Sequence, residues 1–164
     1  MDALVQELLS LAAQYHPATL LTVGAEARRL MQEYAPPEEC RQTHMDGEQA
    51  LRELTLSDRF DFALVAGALE RLPDERAVVL LSRLRDVHTQ RFAVLYPRPG
   101  DAPAEHPWQP NDFLAMGLFR YEDYALKSGT WTLYTFDIAT YKRTPDWLSP
   151  RNWAHPELWD KYRW

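Results

Sequence analysis

One glycine and one aspartate have the residue types and the spacing that suit a nucleoside-like ligand. Gly24 follows the apolar segment 18–23 and precedes a helical pattern, so backbone at this junction could approach a ligand closely. Asp46 follows at about the 20-residue spacing at which an acidic residue at the next strand end binds a ribose hydroxyl. Glu26 would repel a phosphate, which favours an adenosyl ligand over a dinucleotide. Two structural alternatives remain: a tight turn that requires Gly24, and an Asx turn or helix cap at Asp46.

The segment 59–97 contains the elements that must position such a ligand. Residues 60–65 and 92–96 are short apolar runs typical of buried parallel strands. Between them a helix begins at Leu72-Pro73-Asp74, with its apolar residues at helical spacing: Ala77, Val78, Leu80, Leu81 and Leu84. Ligands of doubly wound sheets bind at the carboxyl ends of the strands, which here means the turn 66–71.

The same segment resembles the class I S-adenosylmethionine-dependent methyltransferases. The resemblance lies in Phe60-Asp61-Phe62-Ala63-Leu64 and in Ala68-Leu69-Glu70-Arg71-Leu72-Pro73-Asp74, and the family often has a histidine at the position of Arg71. The resemblance implies S-adenosylmethionine as the cofactor. The candidate cofactor-binding residues are Gly24, Ala25, Asp46, Gly47, Ala66, Gly67, Glu70 and Arg71.

The order of the remaining elements predicts an α/β fold. Helices are expected at 2–15, 25–34 and 48–54, and strands at 18–23 and 40–45, ahead of the segment 59–97. The methyltransferase pattern has two strands and two helices between Gly24 and Asp61, so about one strand–helix unit is missing here. We predict a three-layer, mainly parallel Rossmann-like sheet, in which the strand ending at Val23 lies beside the strand ending at Val65.

The second half of the chain predicts a proline-rich loop and then an antiparallel hairpin. The loop, residues 97–110, is either a stiffened connector or a lid, with His106 and Trp108 as its candidate ligand contacts. A short helix over 112–116 follows, capped by Asn111 and ended by Gly117. Strands are expected at 118–121 and 130–138, as at the end of the methyltransferase fold. The predicted domain spans residues 1–142.

Composition restricts the partners and the compartment. The chain has 164 residues and a net charge of −6, so it fits one domain and lacks the broad basic face of a nonspecific nucleic-acid binder. A local basic pocket stays open. The single Cys40 agrees with a reducing, cytoplasmic location. No apolar run approaches the roughly 20 residues of a membrane span, and Asp2 and Glu7 argue against a secretory signal.

Two functions are compatible with these patterns. No catalytic constellation and no metal-ligand motif emerges from the sequence, and the catalytic residues stay unassigned. We favour a non-catalytic binding or interaction module, a pseudoenzyme, because the glycine loop and one strand–helix unit are reduced together. The alternative is a small S-adenosylmethionine-dependent methyltransferase with an abbreviated cofactor site. Methyl transfer requires little of a protein beyond positioning, so a missing catalytic motif does not exclude the enzyme.

The last predicted segment is a tryptophan-rich tail, residues 143–164. It holds four of the six tryptophans, which are Trp147, Trp153, Trp159 and Trp164. Disordered tails are poor in aromatic residues, so we expect this tail to pack on the domain or to form an interface with a second copy or another protein. Its pattern also resembles the ending of a small group of uncharacterised bacterial proteins.

Removal of the tail after Lys142 is expected to lower the melting temperature or to cause aggregation, and to break any dimer that the tail forms. Each buried tryptophan removes about 150–250 Å² from water. At about 25 cal/mol per Å², partial burial of the four exceeds the cost of ordering their side chains. Thermal unfolding and sedimentation of the full and truncated chains measure both effects. A truncated protein that stays monomeric, soluble and equally stable would contradict this prediction.

Overall fold

The computed structural model describes residues 2–32, 40–102, 107–126 and 129–141, together with Lys161. Its helices are α1 (Asp2–Tyr15), α2 (Ala25–Met31), α3 (Gly47–Glu53), α4 (Asp74–Arg83) and α5 (Pro110–Ala115). Its strands are β1 (Thr19–Val23), β2 (Arg41–Met45), β3 (Phe62–Ala66), β4 (Arg91–Pro97), β5 (Phe119–Leu126) and β6 (Gly129–Asp137). A 3₁₀ turn, Leu69–Arg71, precedes α4, and a π-helical turn, Leu84–His88, follows it. The predictions for His106 and for the tail lie outside the described residues.

The strands form one six-stranded sheet in the order β2-β1-β3-β4-β6-β5. The first four strands are parallel, and β6 pairs antiparallel with both β4 and β5. Val23 of β1 pairs with Val65 of β3, as predicted. Between Gly24 and β3 the described residues contain a single strand, β2. The predicted fold class is therefore confirmed, including its shortened first half and its terminal hairpin.

Helices cover both faces of the sheet. Alternate residues of a strand point to opposite faces, and both faces of the central strands are apolar. Leu21, Val65 and Val94 contribute to the core that also contains the buried residues of α3, α4 and α5. Leu20 and Leu64 belong to the opposite core, which includes the buried residues of α1 and α2. All five residues of β3 are buried. This two-sided burial explains why the central strands read as continuous apolar runs rather than as an alternating pattern.

The helical predictions were wrong in two details. Val78 of α4 is 42% exposed. The helix buries Ala77, Leu80 and Leu81, and Val78 lies on its solvent-facing side. Helix α5 begins at Pro110, so Asn111 lies within the helix and does not cap it. The carboxylate of Asp112 accepts a hydrogen bond of 2.7 Å from the backbone N–H of Gln109 at that end of the helix.

The proline-rich segment connects two elements of the core. Trp108 is buried, its ring centroid lies 5.2 Å from that of Phe113, and its backbone N–H donates to the hydroxyl of Tyr96 over 3.2 Å. Trp108 therefore belongs to the hydrophobic core that also contains the buried residues of α4 and α5. These contacts favour the connector interpretation of the described part of this segment.

Leu81→Ala is expected to lower the free energy of unfolding by about 2–5 kcal/mol, because Leu81 is fully buried and its truncation leaves a cavity. Val79→Ala is the matched control on the same helix, since Val79 is 48% exposed and its truncation should change stability by no more than about 0.5 kcal/mol. Urea unfolding monitored by circular dichroism measures both. Equal losses in the two variants would show that the buried face of α4 is assigned incorrectly.

Candidate functional site

The carboxyl ends of β1 and β3 meet in a close backbone contact. The chain leaves β1 toward β2 on one side of the sheet and later returns to β3 on the other, so the strand order reverses between β1 and β3. Ligands of open α/β sheets bind at such a point. Here Gly24 has φ 100°, and a Cβ added to it would lie 2.2 Å from the carbonyl oxygen of Ala66. The turn itself therefore requires glycine at this position, as the structural alternative anticipated.

A second glycine extends the same contact. Gly67 has φ 73°, and an added Cβ would lie 3.0 Å from Cγ of Glu26. The Glu26 side chain is held in place by Arg29, whose Nη2 and Nε donate to its Oε2 over 2.7 and 2.9 Å. The turns after β1 and β3 therefore approach each other closely, with the Glu26 side chain against Gly67.

Glu70 lies in the 3₁₀ turn Leu69–Arg71, three residues after Gly67, in an unusual environment. Both of its carboxylate oxygens are buried, and they have no hydrogen-bond partner among the described residues. Burial raises the pKa of Glu70 and the charge of Glu26 adds to the rise, whereas the nearby backbone N–H of Glu70 itself, which falls short of a hydrogen bond by geometry, and the charge of Arg71 oppose it. The neighbouring Arg71 is exposed. The structure therefore contains an acidic side chain that folding favours in its neutral form.

A cavity of about 340 Å³ lies on the other side of Gly24, at the carboxyl ends of β1 and β2. Its volume falls at the lower end of the range of about 300–1,000 Å³ that is typical of ligand pockets. The residues around it are mainly small or polar, and they are Gly24, Ala25, Arg28, Arg29, Gln32, His44, Met45, Asp46 and Gln49. We refer to this space as the β1–β2 cavity.

Two side chains of the β1–β2 cavity already have partners within the protein. The Oδ1 atom of Asp46 accepts a hydrogen bond of 2.6 Å from the backbone N–H of Gln49, so Asp46 caps α3. Nδ1 of His44 forms a hydrogen bond with the hydroxyl of Thr22. Burial, together with the positive charge of Arg28, lowers the pKa of His44. The histidine is therefore a neutral, hydrogen-bonded strand residue.

The predicted site residues divide into two groups around Gly24. Gly24, Ala25 and Asp46 line the β1–β2 cavity. Gly47 is buried against Leu72, where an added Cβ would lie 2.9 Å from a methyl carbon. The others, on the β3 side of the contact and outside the β1–β2 cavity, are Ala66, Gly67, Glu70 and Arg71.

Sequence reasoning did not assign Arg28 or Gln49 to the site, although both line the β1–β2 cavity. Each lies three residues after a predicted site residue: Arg28 follows Ala25 within α2, and Gln49 follows Asp46, the residue that caps α3. Side chains three apart share one face of a helix, so this spacing was the available signal.

The strand order and the covering helices define a methyltransferase-like fold, and solved structures agree. The chain is similar to a Burkholderia thailandensis 1,6-didemethyltoxoflavin-N1-methyltransferase with bound S-adenosylhomocysteine, at 14% identity and a TM-score of 0.58, over 80% of this chain and 75% of that one. The methyltransferase domain of bacterial CtHen1 matches with a TM-score of 0.52 and 10% identity, over 81% and 96% of the two chains. Likenesses at such low identity establish the fold alone.

The magnesium protoporphyrin IX methyltransferase ChlM of Synechocystis, solved with bound S-adenosylmethionine, matches with a TM-score of 0.50 and 13% identity, over 81% of this chain and 77% of that one. A search of curated proteins finds no matching relative. The chain belongs to the family of unknown function DUF6231, whose model matches residues 2–164.

The described residues carry neither a membrane-spanning helix nor a metal-binding group. Within these ranges, no helix combines the length and the apolar character that crossing a bilayer requires. The same part of the chain contains no group of three or more histidine, cysteine or acidic side chains arranged to hold a metal ion.

Glu70→Gln is expected to stabilise the protein at pH 7 and to lose that advantage near pH 4. Burial raises the pKa of Glu70 in the folded state, so the folded protein binds this proton more tightly than the unfolded chain does. The resulting stability is fully present below the ordinary glutamate pKa, and it is lost as the pH rises through the folded-state pKa. Glutamine cannot ionise, so the variant does not lose stability in this way. Its free energy of unfolding relative to the wild-type protein should therefore be higher at pH 7 than at pH 4 by about 1.4 kcal/mol for each pH unit by which the pKa of Glu70 is raised.

Urea unfolding at both pH values measures this difference for Glu70→Gln and for Glu75→Gln. Glu75 lies in the first turn of α4 and is exposed, so its variant should show no comparable pH dependence. A stability difference for Glu70→Gln that does not change with pH would contradict a pKa of Glu70 raised by burial.

Proposed function

We propose that this protein is a non-catalytic, methyltransferase-like binding or interaction module. The observation that carries the proposal is the contact between Gly24 and Ala66, where an added Cβ would lie 2.2 Å from the carbonyl oxygen. This contact lies at the reversal of strand order, where the fold's ligands bind. The Glu26 side chain lies against Gly67 beside this contact, which supports the proposal that the rest of the crevice is closed. A long ligand such as S-adenosylmethionine needs continuous space across these strand ends.

The residues present fit one part of that cofactor and not the whole of it. The β1–β2 cavity, with Asp46 on its lining, suits an adenosyl group, because a carboxylate at this strand end can accept a hydrogen bond from a ribose hydroxyl. The remainder of the cofactor would have to pass Gly24 into the closed crevice. For this reason we assign no methyl-transfer step to the protein.

The proposed partner is a second copy of the chain or another protein, bound through the tryptophan-rich tail, residues 143–164. Tryptophan supplies large apolar contact areas at interfaces, which supports this choice. We further propose that the protein acts in the cytoplasm, because a single cysteine, Cys40, suits a reducing compartment.

The second candidate function is a small S-adenosylmethionine-dependent methyltransferase. It is favoured by one observation, namely that Gly24, Ala25 and Asp46 come together on the lining of the β1–β2 cavity. In this alternative the cofactor enters from the β2 side, and the contact between Gly24 and Ala66 opens when it binds.

Titration of the ¹⁵N-labelled protein with S-adenosylmethionine and S-adenosylhomocysteine distinguishes the two functions. The non-catalytic proposal predicts no saturable shift of the amide signals up to about 1 mM ligand, a limit that corresponds to about −4 kcal/mol of binding free energy. The enzyme predicts saturable shifts at Gly24, Ala25 and Asp46. Calorimetry with the same ligands gives an independent measure of affinity.

Variants then test where any adenosyl ligand binds. Asp46→Ser keeps an oxygen that can cap α3 but removes the carboxylate, so it should weaken adenosyl binding by more than about 1 kcal/mol while largely preserving stability. Glu48→Gln is the control, because Glu48 lies in the first turn of α3 and pairs with Arg76 over 2.5 Å. Equal affinity in the two variants would remove Asp46 from the site.

A further inference from the structure

A larger cavity lies at the opposite edge of the sheet, where the parallel strands begin. Its volume is about 800 Å³. It is built from the end of α1, the start of β1, the approach to β3, the π-helical turn and the start of β4. Its lining residues include Tyr15, His16, Arg59, Asp61, Arg85 and Arg91. We refer to it as the amino-edge cavity, and it is separate from the strand ends at which this fold binds its ligands.

The acidic side chains of the amino-edge cavity are already engaged. Oδ2 of Asp61 accepts hydrogen bonds from the backbone N–H groups of Ala18 and Thr19, both over 2.9 Å, and from the Thr19 hydroxyl over 3.1 Å. Asp86 accepts hydrogen bonds from Nε and Nη2 of Arg85 over 2.6 and 3.0 Å. Both carboxylates therefore act within the protein and offer little to a cationic ligand.

The three arginines of the cavity differ in how far their charge is neutralised. Arg85 pairs with Asp86, and Arg91 pairs with Asp137 over 3.1 Å while its guanidinium lies 4.7 Å from the ring centroid of Tyr15. Nη1 of Arg59 instead donates to two backbone carbonyl oxygens, those of Leu56 and Asp58, over 2.6 and 3.0 Å.

Arg59 forms no salt bridge within 4.0 Å to a carboxylate of the described residues. The two carbonyls orient its guanidinium, and they leave its remaining N–H donors without a carboxylate partner in that part of the chain. The nearby Asp58 uses its Oδ2 to accept hydrogen bonds from the backbone N–H and the hydroxyl of Thr55. Arg59 is thus a positioned cation that can bind an oxyanion through several donors at once.

Two further features of the wall are uncommon in a purely structural region. The π-helical turn Leu84–His88 forms one side of the cavity, and such turns often occur at functional sites. Within it, His88 is fully buried, with Nδ1 lying 3.0 Å from the carbonyl oxygen of Asp58 and Nε2 lacking a hydrogen-bond partner among the described residues. A second histidine, His16, follows α1 at φ 43° and also lines the cavity.

We propose that the amino-edge cavity binds a small organic anion, a carboxylate or a phosphate ester, whose oxyanion is held by Arg59. Asp86 and Asp137 neutralise the other two arginines of the cavity, and Asp61 is held by backbone N–H groups, so Arg59 is the cation that remains for a ligand. Phe60, Val87 and Ile138 add apolar surface for the body of the ligand. Its volume lies in the range of about 300–1,000 Å³ that is typical of metabolite-sized ligands.

Phenyl phosphate, benzoate and inorganic phosphate are suitable probes, titrated to about 10 mM at constant ionic strength while amide shifts are recorded. The expected result is saturable shifts at Thr19, Asp61 and Gln90 and not at Gly24 or Asp46. Binding of phenyl phosphate more tightly than benzoate identifies a phosphate ester as the ligand class, and the reverse order identifies a carboxylate. Tighter binding of either aromatic probe than of inorganic phosphate shows that the apolar wall contributes.

Arg59→Gln should weaken binding of the tighter probe by about tenfold or more, the loss expected for a charge-assisted hydrogen bond, whereas Arg59→Lys should retain part of it. Arg52→Gln is the matched control, since it removes the same charge from an exposed side chain of α3 that does not line the cavity. An equal loss in both arginine-to-glutamine variants, or no saturable shift with any probe, overturns the proposal. Because these signals lie at the opposite edge of the sheet, failure here leaves the proposed function untouched.

Discussion

The structure depends on the close approach of two backbone turns, Gly24 after β1 and Ala66-Gly67 after β3. The Cα of Gly24 faces the carbonyl oxygen of Ala66 so closely that an added Cβ would lie 2.2 Å from it. Only a glycine at positive φ allows β1 to reverse into α2 at this distance. The contact holds α2 over the central strands, where Ala27, Leu30 and Met31 are buried. The backbone conformation of Gly24 thus determines both how α2 packs on the sheet and the shape of the carboxyl edge, where ligands of this fold bind.

The same contact determines where space remains at the carboxyl edge. It separates the β1–β2 cavity, with Ala25 and Asp46, from the turn that carries Glu70. Both carboxylate oxygens of Glu70 are buried, and they have no hydrogen-bond partner among the described residues. Such a group reduces stability at neutral pH and persists only where the surrounding packing outweighs its cost.

The opposite edge is organised by Asp61, the acidic residue of the Phe-Asp pair in the methyltransferase-like segment. Its carboxylate accepts two backbone N–H groups from the start of β1 and so fixes β1 against the chain that enters β3. This explains the aspartate by its role in the fold, without any ligand. It also leaves Arg59, two residues earlier, at the mouth of the amino-edge cavity.

The sequence by itself determined the order of the elements and the class of the sheet. Apolar periodicity is a local property, and it predicted the buried strands β3 and β4. The rule for right-handed crossovers predicted the pairing of β1 with β3, and the resemblance to the methyltransferases implied the loss of one strand–helix unit. Composition added a net charge of −6. Of the candidate site, it identified Gly24, Ala25 and Asp46, because glycine-containing turns and acidic strand ends leave a signal in the chain itself.

Only the tertiary structure decided what these residues do. Whether Gly24 faces a ligand or Ala66, whether Glu70 is solvated or buried, and whether Arg59 meets a carboxylate depend on segments that are distant in sequence. Sequence patterns do not encode such distances. For the same reason Val78 was assigned to the core although it is exposed, and the amino-edge cavity, which forms where five separate segments converge, had no signal in any one of them.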